Sequence, residues 1–442
     1  MVSVFSENLR VYNAQQFRQS LLDPNPTNIY LTFGRSTPWS NDAAPPQANS
    51  SVTVFNDVWY RMLGAKQISG NDVRHAIPRN DWTADTSYSA YDHCTCSLMM
   101  YTPNVKFFVL TTDWNVYKCL GNNSGGLSTV MPTQLLTNTA VEESDGYIWK
   151  YMYTLTAEER IRFMTDSYIP VQTLSLDNNT LQWRVQEDAV DGSIEAIKIT
   201  NAGTGYTNSS NLIVTVTGDG SGANAIARIN STSNTISSIV MVDKGRSYTF
   251  ADVTISDGGG TNAAARVMIS PPGGHGSDPL RELGGSYLIF NPRVRSLEEG
   301  KLAGVNDFRQ IAIIQDPVEE STGNTATKSV YSQLLTLTVS SGSDNYIHDE
   351  IVYQGGSIST ASFTGIVIEW DSGNNQLKLS ETTGTPTSAT ITGNTSATAR
   401  VVESVTDKEL VSQSGQLLYI DYVQPIVRAV DQTEDYKIVF EF

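Results

Sequence analysis

One stretch of the chain occurs twice in succession. Residues 194–229 and residues 236–269 both contain I-x-x-I, then G-x-x-Y-T, a β-like run, a glycine-rich turn, and A-x-A-R followed by an apolar residue. Each copy has the pattern of three short strands joined by two turns. Because a three-stranded piece of this size is rarely stable alone, we expect the two copies to pack on each other as one small β domain.

A second β-rich stretch, residues 337–407, contains D-E-I-V-Y-Q-G-G, G-I-V-I-E-W and T-S-A-T-A-R-V-V-E between Gly, Ser and Thr turns. If both stretches are additions to a core, each must leave and rejoin the core at neighbouring points, and its strands must pair mainly within it. This predicts five segments: residues 1–189 as the first part of the core, 190–270 as an inserted module of two repeats, 271–336 as the second part of the core, 337–407 as a second inserted module, and 408–442 as C-terminal core strands.

The loop S-P-P-G-G-H-G-S-D-P, residues 270–279, follows the second repeat. Its prolines and glycines are typical of a chain leaving one module for another, which predicts a joint with His275 as an exposed hinge residue. A ligand-binding loop is the alternative, since a histidine titrates near neutral pH and glycine allows a ligand close approach. A phosphate cradle is disfavoured because no complete P-loop or dinucleotide-binding motif is present.

Elsewhere the chain is predicted to be mainly β, with few helices. Strands are expected at I-V-M-V (239–242), A-I-I (312–314) and the C-terminal K-I-V-F-E-F. Apolar periodicity predicts helices over 14–22, 57–63 and 156–164 and near residue 330. The spacing of Thr156 and Glu159 is that of a capping box, which places the start of the third helix.

Charge and cysteine content exclude several classes of protein. The 442 residues include 46 acidic and 29 basic side chains, a formal charge of -17 that disfavours binding to nucleic acid or to anionic membranes. The N-terminus lacks the pattern of a signal peptide, and no stretch approaches the length of a membrane span. Three cysteines are too few for a disulfide framework, which predicts a protein made in the reducing cytoplasm.

The segment D-H-C-T-C supplies zinc-type ligands in His93, Cys94 and Cys96, with Cys119 and His75 elsewhere in the chain. The C-x-C spacing is not that of a zinc knuckle. Strand alternation would put Cys94 and Cys96 on one face, where buried thiols pack as small hydrophobic groups. We therefore predict no metal, no other cofactor and no dependence of folding on either.

Other carboxylates give no stronger signal of chemistry. Asp219 and Asp257 lie in glycine-rich turns, where a single carboxylate falls short of the oxygen ligands that calcium takes. Turn formation is the favoured interpretation. A glycosidase pair among the many acidic residues cannot be derived from sequence, which fixes no distance between carboxylates. We predict no catalytic residues.

Six segments outside the two β-rich stretches occur in an order typical of a known family. They are I-Y-L-T-F-G-R-S-T-P-W-S (29–40), A-I-P-R-N-D-W (76–82), V-Y-K-C-L (116–120), D-G-Y-I-W-K-Y-M-Y (145–153), F-R-Q-I-A-I-I-Q-D-P (308–317) and the C-terminal run from residue 414 to residue 442. Together they resemble the baseplate wedge protein eight family of T-even-like contractile-tailed phages. The two β-rich stretches depart from the short form of that family.

The resemblance implies a layered β-sandwich core with helix-bearing loops, to which the two small β modules are added. It also implies a homodimer in the tail baseplate of the virion, assembled in the host cytoplasm. Its partners would be the neighbouring wedge proteins of the six, seven and ten types. Such a subunit would hold the wedges in one arrangement and permit another when the sheath contracts, without enzymatic activity, nucleic acid or membrane.

Aromatic and charged residues in these segments are candidates for interfaces. Arg35 and Trp39 lie in the first segment, and Arg79, Asp81 and Trp82 lie in the second. Large aromatic side chains anchor interfaces as well as cores, and charged pairs can form across an interface. Burial in the core is the alternative for each tryptophan, and an intrachain or solvated ion pair is the alternative for the charges.

A function of another class stays open. The β modules could recognise a host surface, which would make the chain a glycan-binding or polysaccharide-degrading tail protein. The ordered six segments favour the structural role, because they belong to the wedge family.

Overall fold

We describe a computed structural model over residues 6–95, 105–207, 212–304 and 306–442. The fold is mainly β, as predicted. Its helices are α1 (Glu7–Ser20), α2 (Val52–Arg61), α3 (Ala157–Phe163), α4 (Leu181–Glu187) and α5 (Pro279–Glu282), with 3-10 turns at Gly70–Asp72, Asn123–Gly125 and Ile358–Thr360. Within these ranges, none of the helices has the length and apolar composition that would let it cross a bilayer.

The strands of the described residues number 27. They are β1 (Ile29–Gly34), β2 (Met62–Ile68), β3 (Val73–Pro78), β4 (Phe108–Leu110), β5 (Asn115–Asn122), β6 (Val141–Glu142), β7 (Tyr147–Thr154), β8 (Tyr168–Pro170), β9 (Ile194–Thr204), β10 (Ile213–Gly218), β11 (Ser221–Asn230), β12 (Thr235–Arg246), β13 (Ala251–Ser256), β14 (Thr261–Ile269), β15 (Tyr287–Phe290), β16 (Arg293–Arg295), β17 (Asp307–Gln315), β18 (Val330–Ser332), β19 (Leu335–Val339), β20 (Ile351–Gln354), β21 (Phe363–Asp371), β22 (Gln376–Gly384), β23 (Thr390–Gly393), β24 (Ala399–Thr406), β25 (Gln416–Val427), β26 (Thr433–Asp435) and β27 (Ile438–Glu441).

The chain divides into two compact units. One consists mainly of Arg74–Ile289, and the other of Phe17–Val73 and Phe290–Ile438. The double repeat belongs to the first unit, and the second β-rich stretch belongs to the second. The five-segment division made from the sequence is a finer one and stays a prediction.

In the second unit, a five-stranded sheet has the order β18-β2-β1-β17-β25. Its central strand β1 pairs with β17 from Ile29↔Gln315 to Gly34↔Gln310, so segments far apart in sequence become neighbours. Strand β25 continues the sheet beyond β17. Three of the six family-like segments therefore form adjacent strands. Their buried face joins a core with α2 that includes Trp59, which is 1% exposed.

In the first unit, a four-stranded sheet of order β4-β5-β7-β6 lies at the centre of two hydrophobic clusters. Successive side chains of a strand point to opposite faces. Tyr117 and Trp149 accordingly join one cluster, while Val116 and Met152 join the other. A second sheet, β27-β15-β3-β8, contributes Ile77 to the Val116 cluster. Strands β5 and β7 are buried on both faces, which positions any polar side chain on them far from water.

The double-repeat domain, β9–β14, folds by exchange between its two copies. The first strand of each copy pairs with the last strand of the other, β9 with β14 and β12 with β11. The middle strands β10 and β13 pair with each other, from Ile213↔Ser256 to Gly218↔Ala251. The prediction that the copies pack on each other is confirmed. The pairing is more extensive than expected, because every outer strand pairs with an outer strand of the other copy, and within the first copy only Val214 opposite Ala225 joins β10 to β11.

The repeated G-x-x-Y-T motif explains how this exchange is held. Tyr206 and Tyr248 are the equivalent tyrosines, and both are buried in the domain core. A Cβ on Gly260 would lie 2.4 Å from Tyr206, and a Cβ on Gly220 would lie 2.5 Å from Tyr248. Each tyrosine thus packs on a glycine from the turn of the other copy. Only glycine leaves room for the tyrosine ring at these two positions. Because each copy supplies one tyrosine and one glycine, the two contacts join the copies in both directions.

The second β-rich stretch forms a closed barrel of six strands in the order β19-β22-β21-β20-β23-β24. Strand β19 also pairs with β24, with Thr336 opposite Thr406, so the points where the chain enters and leaves the barrel are adjacent. The same holds for the double repeat, where Ile194 is opposite Ile269. The prediction of neighbouring connection points is confirmed for both modules, and closure of the barrel removes its sheet edges.

Most predicted helices and strands are present, but one predicted helix is a strand in the structure. The capping box is confirmed, since Thr156 accepts from the backbone N–H of Glu159 while the Glu159 carboxylate accepts from the Thr156 backbone. The helices predicted at 14–22 and 57–63 correspond to α1 and α2, which begin earlier. The helix predicted near residue 330 is wrong. That segment forms β18 along β2, with Tyr331 buried, because sheet pairing prevailed over local apolar spacing.

Candidate functional site

Arg35 and Trp39 lie together in the loop after β1. The Arg35 guanidinium carbon is 3.7 Å from the centre of the Trp39 ring, a cation–π contact. The Trp39 indole Nε1 donates to the Val423 carbonyl at 3.2 Å, and its ring contacts Tyr422 with centroids 4.7 Å apart. Trp39 thereby fixes the loop to β25, next to the irregular pairing of that strand. We call Arg35, Trp39 and Tyr422 the Trp39 site.

A buried arginine on the adjacent strand binds this loop. Arg309 on β17 is 4% exposed and binds both carboxylate oxygens of Asp42, each at 2.9 Å. It also donates to the Ser36 carbonyl at 2.6 Å. Bidentate binding of a carboxylate fixes the orientation as well as the distance of the groups. The Trp39 site is therefore a rigid, half-buried surface rather than a free loop.

Arg79, Asp81 and Trp82 follow β3 in the other unit. Arg79 Nε lies 2.9 Å from Asp81 Oδ1, and Arg79 also donates to the Thr165 carbonyl at 3.3 Å. Trp82 is half-buried, and its Nε1 donates to Ser128 Oγ at 3.1 Å. We call these residues the Trp82 site. The charged pair is intrachain, as one of the two alternatives predicted, and the tryptophan is neither fully buried nor free.

The five predicted interface residues therefore form two separate sites. The tryptophans of the family-like segments divide in the same way: Trp59 and Trp149 are core residues, while Trp39, Trp82 and Trp114 stay partly exposed. A partly exposed tryptophan held in one orientation keeps little side-chain entropy to lose on binding. That property suits Trp39 and Trp82 to interfaces, and their role there remains a prediction.

The loop of residues 270–279 does not have the character predicted for it. His275 is 1% exposed, so the prediction of an exposed hinge residue is wrong. The flanking glycines allow the burial, since Gly274 has φ 98° and a Cβ there would lie 2.4 Å from the Val190 nitrogen. A Cβ on Gly276 would lie 2.4 Å from Val185. The glycines thus bring the loop close to the core and do not give it freedom.

His275 belongs to a buried group of charges that we call the His275 cluster, made of Lys118, His275 and Glu282. Lys118 Nζ donates to Glu282 Oε2 at 2.8 Å and to His275 Nδ1 at 3.2 Å. Because Nδ1 accepts this bond, His275 is the neutral form with its proton on Nε2. The Glu282 Oε1 accepts from the Gly276 backbone at 2.7 Å. All three side chains are buried, so their polar groups must satisfy one another.

A second buried pair lies beside the first. Lys150 on β7 is the cross-strand partner of Lys118 on β5. Its Nζ donates to the Thr137 carbonyl at 3.0 Å and lies 3.7 Å from Glu195 Oε2. Lys244 Nζ is 3.6 Å from Glu195 Oε1. Glu195 comes from β9, the first strand of the double-repeat domain. The Lys150 ammonium of the sheet and the Glu195 carboxylate of the domain therefore meet where the domain begins.

Burial and neighbouring charges set the protonation of these groups. Burial lowers the pKa of His275, and the adjacent Lys118 ammonium lowers it further. Burial alone would raise the pKa of Glu282, but Lys118 and His275 outweigh it and hold that pKa at about 2. Burial lowers the pKa of Lys150, partly offset by Glu195. Glu282 is therefore ionised and His275 neutral at neutral pH.

This arrangement fixes the double-repeat domain to the core. The Ser270 backbone N–H donates to the Ser193 carbonyl at 2.8 Å; Glu195 lies two residues after Ser193, and His275 lies five residues after Ser270. All three side chains of the cluster are buried and bound to one another, which is typical of a structural role. Sequence reasoning missed Lys118 and Lys150, although each interrupts an otherwise apolar strand, in V-Y-K-C-L and Y-I-W-K-Y-M-Y. A lysine at the centre of a buried strand requires a buried acid as its partner.

The zinc-type ligands are only partly brought together. Cys94 lies exposed in a turn, so the prediction of a buried thiol on a strand is wrong, and Cys96 lies outside the described residues. Within those residues, Asp92, His93 and Cys94 place potential ligand atoms within 4.8 Å of one another. Asp92 is already ion-paired with Arg266. The described residues therefore supply three ligand types, one of them engaged elsewhere, whereas a structural zinc site takes four ligands.

The remaining candidates have ordinary structural roles. Cys119 and His75 are buried on separate strands, and His75 Nδ1 lies 3.0 Å from the Gly285 carbonyl. Asp219 lies in the turn after β10 and accepts from the Thr249 hydroxyl at 2.5 Å and from the Thr249 backbone at 2.9 Å, and these bonds lower its pKa to about 2. Asp257 adopts φ 63° in its own turn. Both aspartates lie in the turns predicted from the sequence.

Comparison with known proteins covers four of the six ordered segments, those at 29–40, 76–82, 116–120 and 414–442. A family model described as Bacteriophage T4, Gp8 matches residues 3–121 and 353–442. The chain is 26% identical over 184 residues to baseplate wedge protein gp8 of Enterobacteria phage T4, covering 34% of this chain and 54% of that protein. It thus spans about half the length of the curated relative it matches.

The two matched segments cover part of the barrel but none of the double-repeat domain. The double-repeat domain lies outside both segments, in keeping with an addition to the family fold. The second segment includes β21–β24 of the barrel, a stretch that is predicted from the sequence to be an insertion. The Trp39 and Trp82 sites and Lys118 fall within the matched residues, whereas His275 and Glu282 do not. In these two segments, the chain is similar to the gp8 baseplate wedge family.

Proposed function

We propose that the protein is a structural subunit of a phage tail baseplate wedge, located in the virion and acting through protein contacts rather than catalysis. The observation that carries this proposal is the two-segment match to the gp8 family, together with the identity to a baseplate wedge protein. The formal charge of -17 is consistent with protein partners rather than nucleic acid. The rigid half-buried tryptophans supply surfaces of the kind that permanent assemblies use.

We further propose that the building block is a homodimer and that its neighbours are wedge proteins of the six, seven and ten types. The subunit would hold these neighbours in one arrangement before infection and allow another on sheath contraction. Light scattering of the purified chain at micromolar concentration should give twice the mass of one chain. A monomer both in solution and in particles would overturn the dimer.

The wedge role is tested by assembly. A nonsense codon in this gene should yield phage lysates without complete baseplates, and supplying the chain from a plasmid should restore them. Normal, infectious tails made without the protein would overturn the proposal.

The Trp82 site allows a sharper test within that assay. Replacing Arg79 and Asp81 together by alanine should weaken assembly if this pair faces a neighbour. The matched control is Arg293 with Asp435, another half-exposed Arg–Asp pair, whose Nε–Oδ1 distance is 2.7 Å. If both double variants assemble equally well, the Trp82 site is not part of an interface with a neighbouring protein.

A further inference from the structure

A groove with an acidic rim opens beside the barrel, within the second unit. Its volume is about 600 Å³, and its walls come from the end of β21, the loop before β20, the start of β17 and the residues around the end of β25. Neither the Trp39 site nor the Trp82 site contributes to it. The groove is large enough for several side chains of a bound partner.

Aliphatic side chains form its floor. Val427 and Val430 line it and are 66% and 49% exposed, although both are fully apolar. Leu297 and Ile368 continue the same surface. The floor is open because residue 304 is glycine, at which a Cβ would lie 2.8 Å from Leu297 and 3.2 Å from Val430. Exposed valines grouped in a concave surface are more informative than scattered ones, since burying them on a partner would be favourable.

Carboxylates surround this floor. Asp307, Asp349 and Glu369 all line the groove, and none of its described lining residues is Lys or Arg. Asp349 is exposed, with His348 Nδ1 at 3.0 Å. Asp307 and Glu369 each have one cation nearby, Arg309 at 2.8 Å and Lys378 at 3.2 Å, whose side chains are not part of the wall. The groove therefore presents excess negative charge around an apolar centre.

One buried acceptor also lacks a partner within the described chain. Asn306 is 6% exposed, lines the groove, and its Oδ1 accepts no hydrogen bond there. A buried carbonyl oxygen without a donor is costly unless a ligand or water supplies one. A bound segment that brings an N–H group to this point would satisfy it.

The aromatic residue of the groove argues against a sugar as the occupant. Trp370 already has the Arg400 guanidinium 4.9 Å from its ring centre, and Tyr346 contacts it edge-on at 5.2 Å. Its Nε1 donates to Asn345 at 2.9 Å. The ring is thus engaged in the barrel wall, whereas sugar sites use an open aromatic face. The aliphatic floor suits the side chains of a protein segment better.

We infer that this groove binds a segment of a partner protein in which one or two aliphatic side chains are flanked by Lys or Arg. The aliphatic groups would cover Val427 and Val430, and the cations would pair with Asp349 and Glu369. This inference rests on the proposed function for the presence of a protein neighbour. It adds the chemistry by which one neighbour is selected.

Binding of a defined peptide tests the inference in solution. A dye-labelled G-K-L-I-R-G peptide should bind the full chain, and a G-E-L-I-E-G peptide should not, as measured by fluorescence anisotropy. Because exposed charge pairs are screened, affinity should fall when salt is raised from about 20 mM to about 200 mM. The double variant Asp349→Asn/Glu369→Gln should raise Kd about tenfold, and Val430→Ser should raise it as well.

Matched controls separate the groove from the rest of the barrel. Glu403→Gln and Val401→Ser alter exposed residues of β24 that do not line the groove, and both should leave Kd unchanged. No binding of the basic peptide, equal binding of the acidic one, or equal loss in the controls would overturn the inference. So would binding at the groove of a bacterial polysaccharide instead of the peptide. The wedge role would survive any of these results, since particle assembly tests it separately.

Discussion

The double-repeat domain and the barrel are both small β modules, yet they are stabilised in different ways. The barrel closes on itself, and its core is a compact group of fully buried aliphatic and aromatic residues that includes Leu337, Leu379 and Phe363. The double repeat closes by strand exchange, and many of its core residues are small and only partly buried. A module with a complete core needs little from its surroundings. A module with a thinner core depends more on how it is attached.

The attachments differ accordingly. The barrel contacts α2 through a partly exposed pair, Arg61 with Glu381 at 2.6 Å, and through the Tyr60 hydroxyl, which donates to the Glu381 carbonyl at 2.9 Å. The double repeat is joined to the sheet by one fully buried pair, Lys150 with Glu195 of β9, and a second, Lys118 with Glu282, lies where the chain continues after the repeat. Buried pairs are much more sensitive to loss of one partner than exposed pairs are. The difference between the modules can therefore be tested by substitution.

The largest effect is expected from breaking the His275 cluster. Lys118→Met leaves Glu282 ionised and buried without its cation, which should lower the free energy of unfolding by about 3–5 kcal/mol. Adding Glu282→Leu should recover much of this loss, because no uncompensated charge then remains. Urea unfolding measures both changes. Arg228→Met is the control: its pair with Glu142, at 3.2 Å, is exposed and should contribute about 1 kcal/mol or less. A loss in Lys118→Met no larger than in the control would contradict the role given to the cluster.

An intermediate effect is expected within the double repeat. Gly260→Ala would place a methyl group 2.4 Å from Tyr206, and the resulting overpacking should cost about 1–3 kcal/mol. Gly356→Ala is the matched control, because a Cβ there meets nothing within 4 Å. Thermal unfolding of both variants compares them. If Gly260→Ala is as stable as the control, the exchange of tyrosine contacts between the copies is not what holds the domain.

A smaller effect is expected from pH. The folded pKa of His275 lies below its ordinary value of 6.5, so the unfolded chain binds more protons as pH falls below 6.5 and stability decreases. The Glu282 pKa of about 2 adds stability that is present above pH 4.5 and is lost as pH falls toward 2. His275→Gln should reduce the slope of stability between pH 7 and pH 5. A slope in His275→Gln equal to that of the unsubstituted chain would exclude His275 as the titrating group.

The sequence predicted the modules better than their attachment. The repeated motif was sufficient for the double repeat, because each copy carries its own turns and alternating strands, and the confirmed capping box depends only on residues 156–159. Residue 330 was assigned wrongly because its apolar spacing fits a helix and a buried strand alike. His275 was misplaced for a different reason. Its partners Lys118 and Glu282 are 157 and 7 residues away, and no local pattern shows that a glycine-rich loop is drawn into a core.

The candidate surfaces show the same limit. The residues of the Trp39 and Trp82 sites could be named from ordered segments, but their partners could not, since Arg309 and Tyr422 come from strands far along the chain. The acidic groove was not predicted at all. Its walls come from four separate segments that only the pairing of β17 with β25 and the closure of the barrel bring together.

The central claim is that the segments at which the chain enters and leaves the double-repeat domain are rigidly packed in the core and do not act as a hinge. Hydrogen–deuterium exchange of the full chain at neutral pH tests it most directly, in peptides that cover residues 190–195 and 270–283. We predict protection comparable to that of the central strands β5 and β7, because buried charges and the Ser193–Ser270 hydrogen bond hold these segments. Exchange within seconds at both segments, with β5 and β7 still protected, would show a mobile joint and contradict the account.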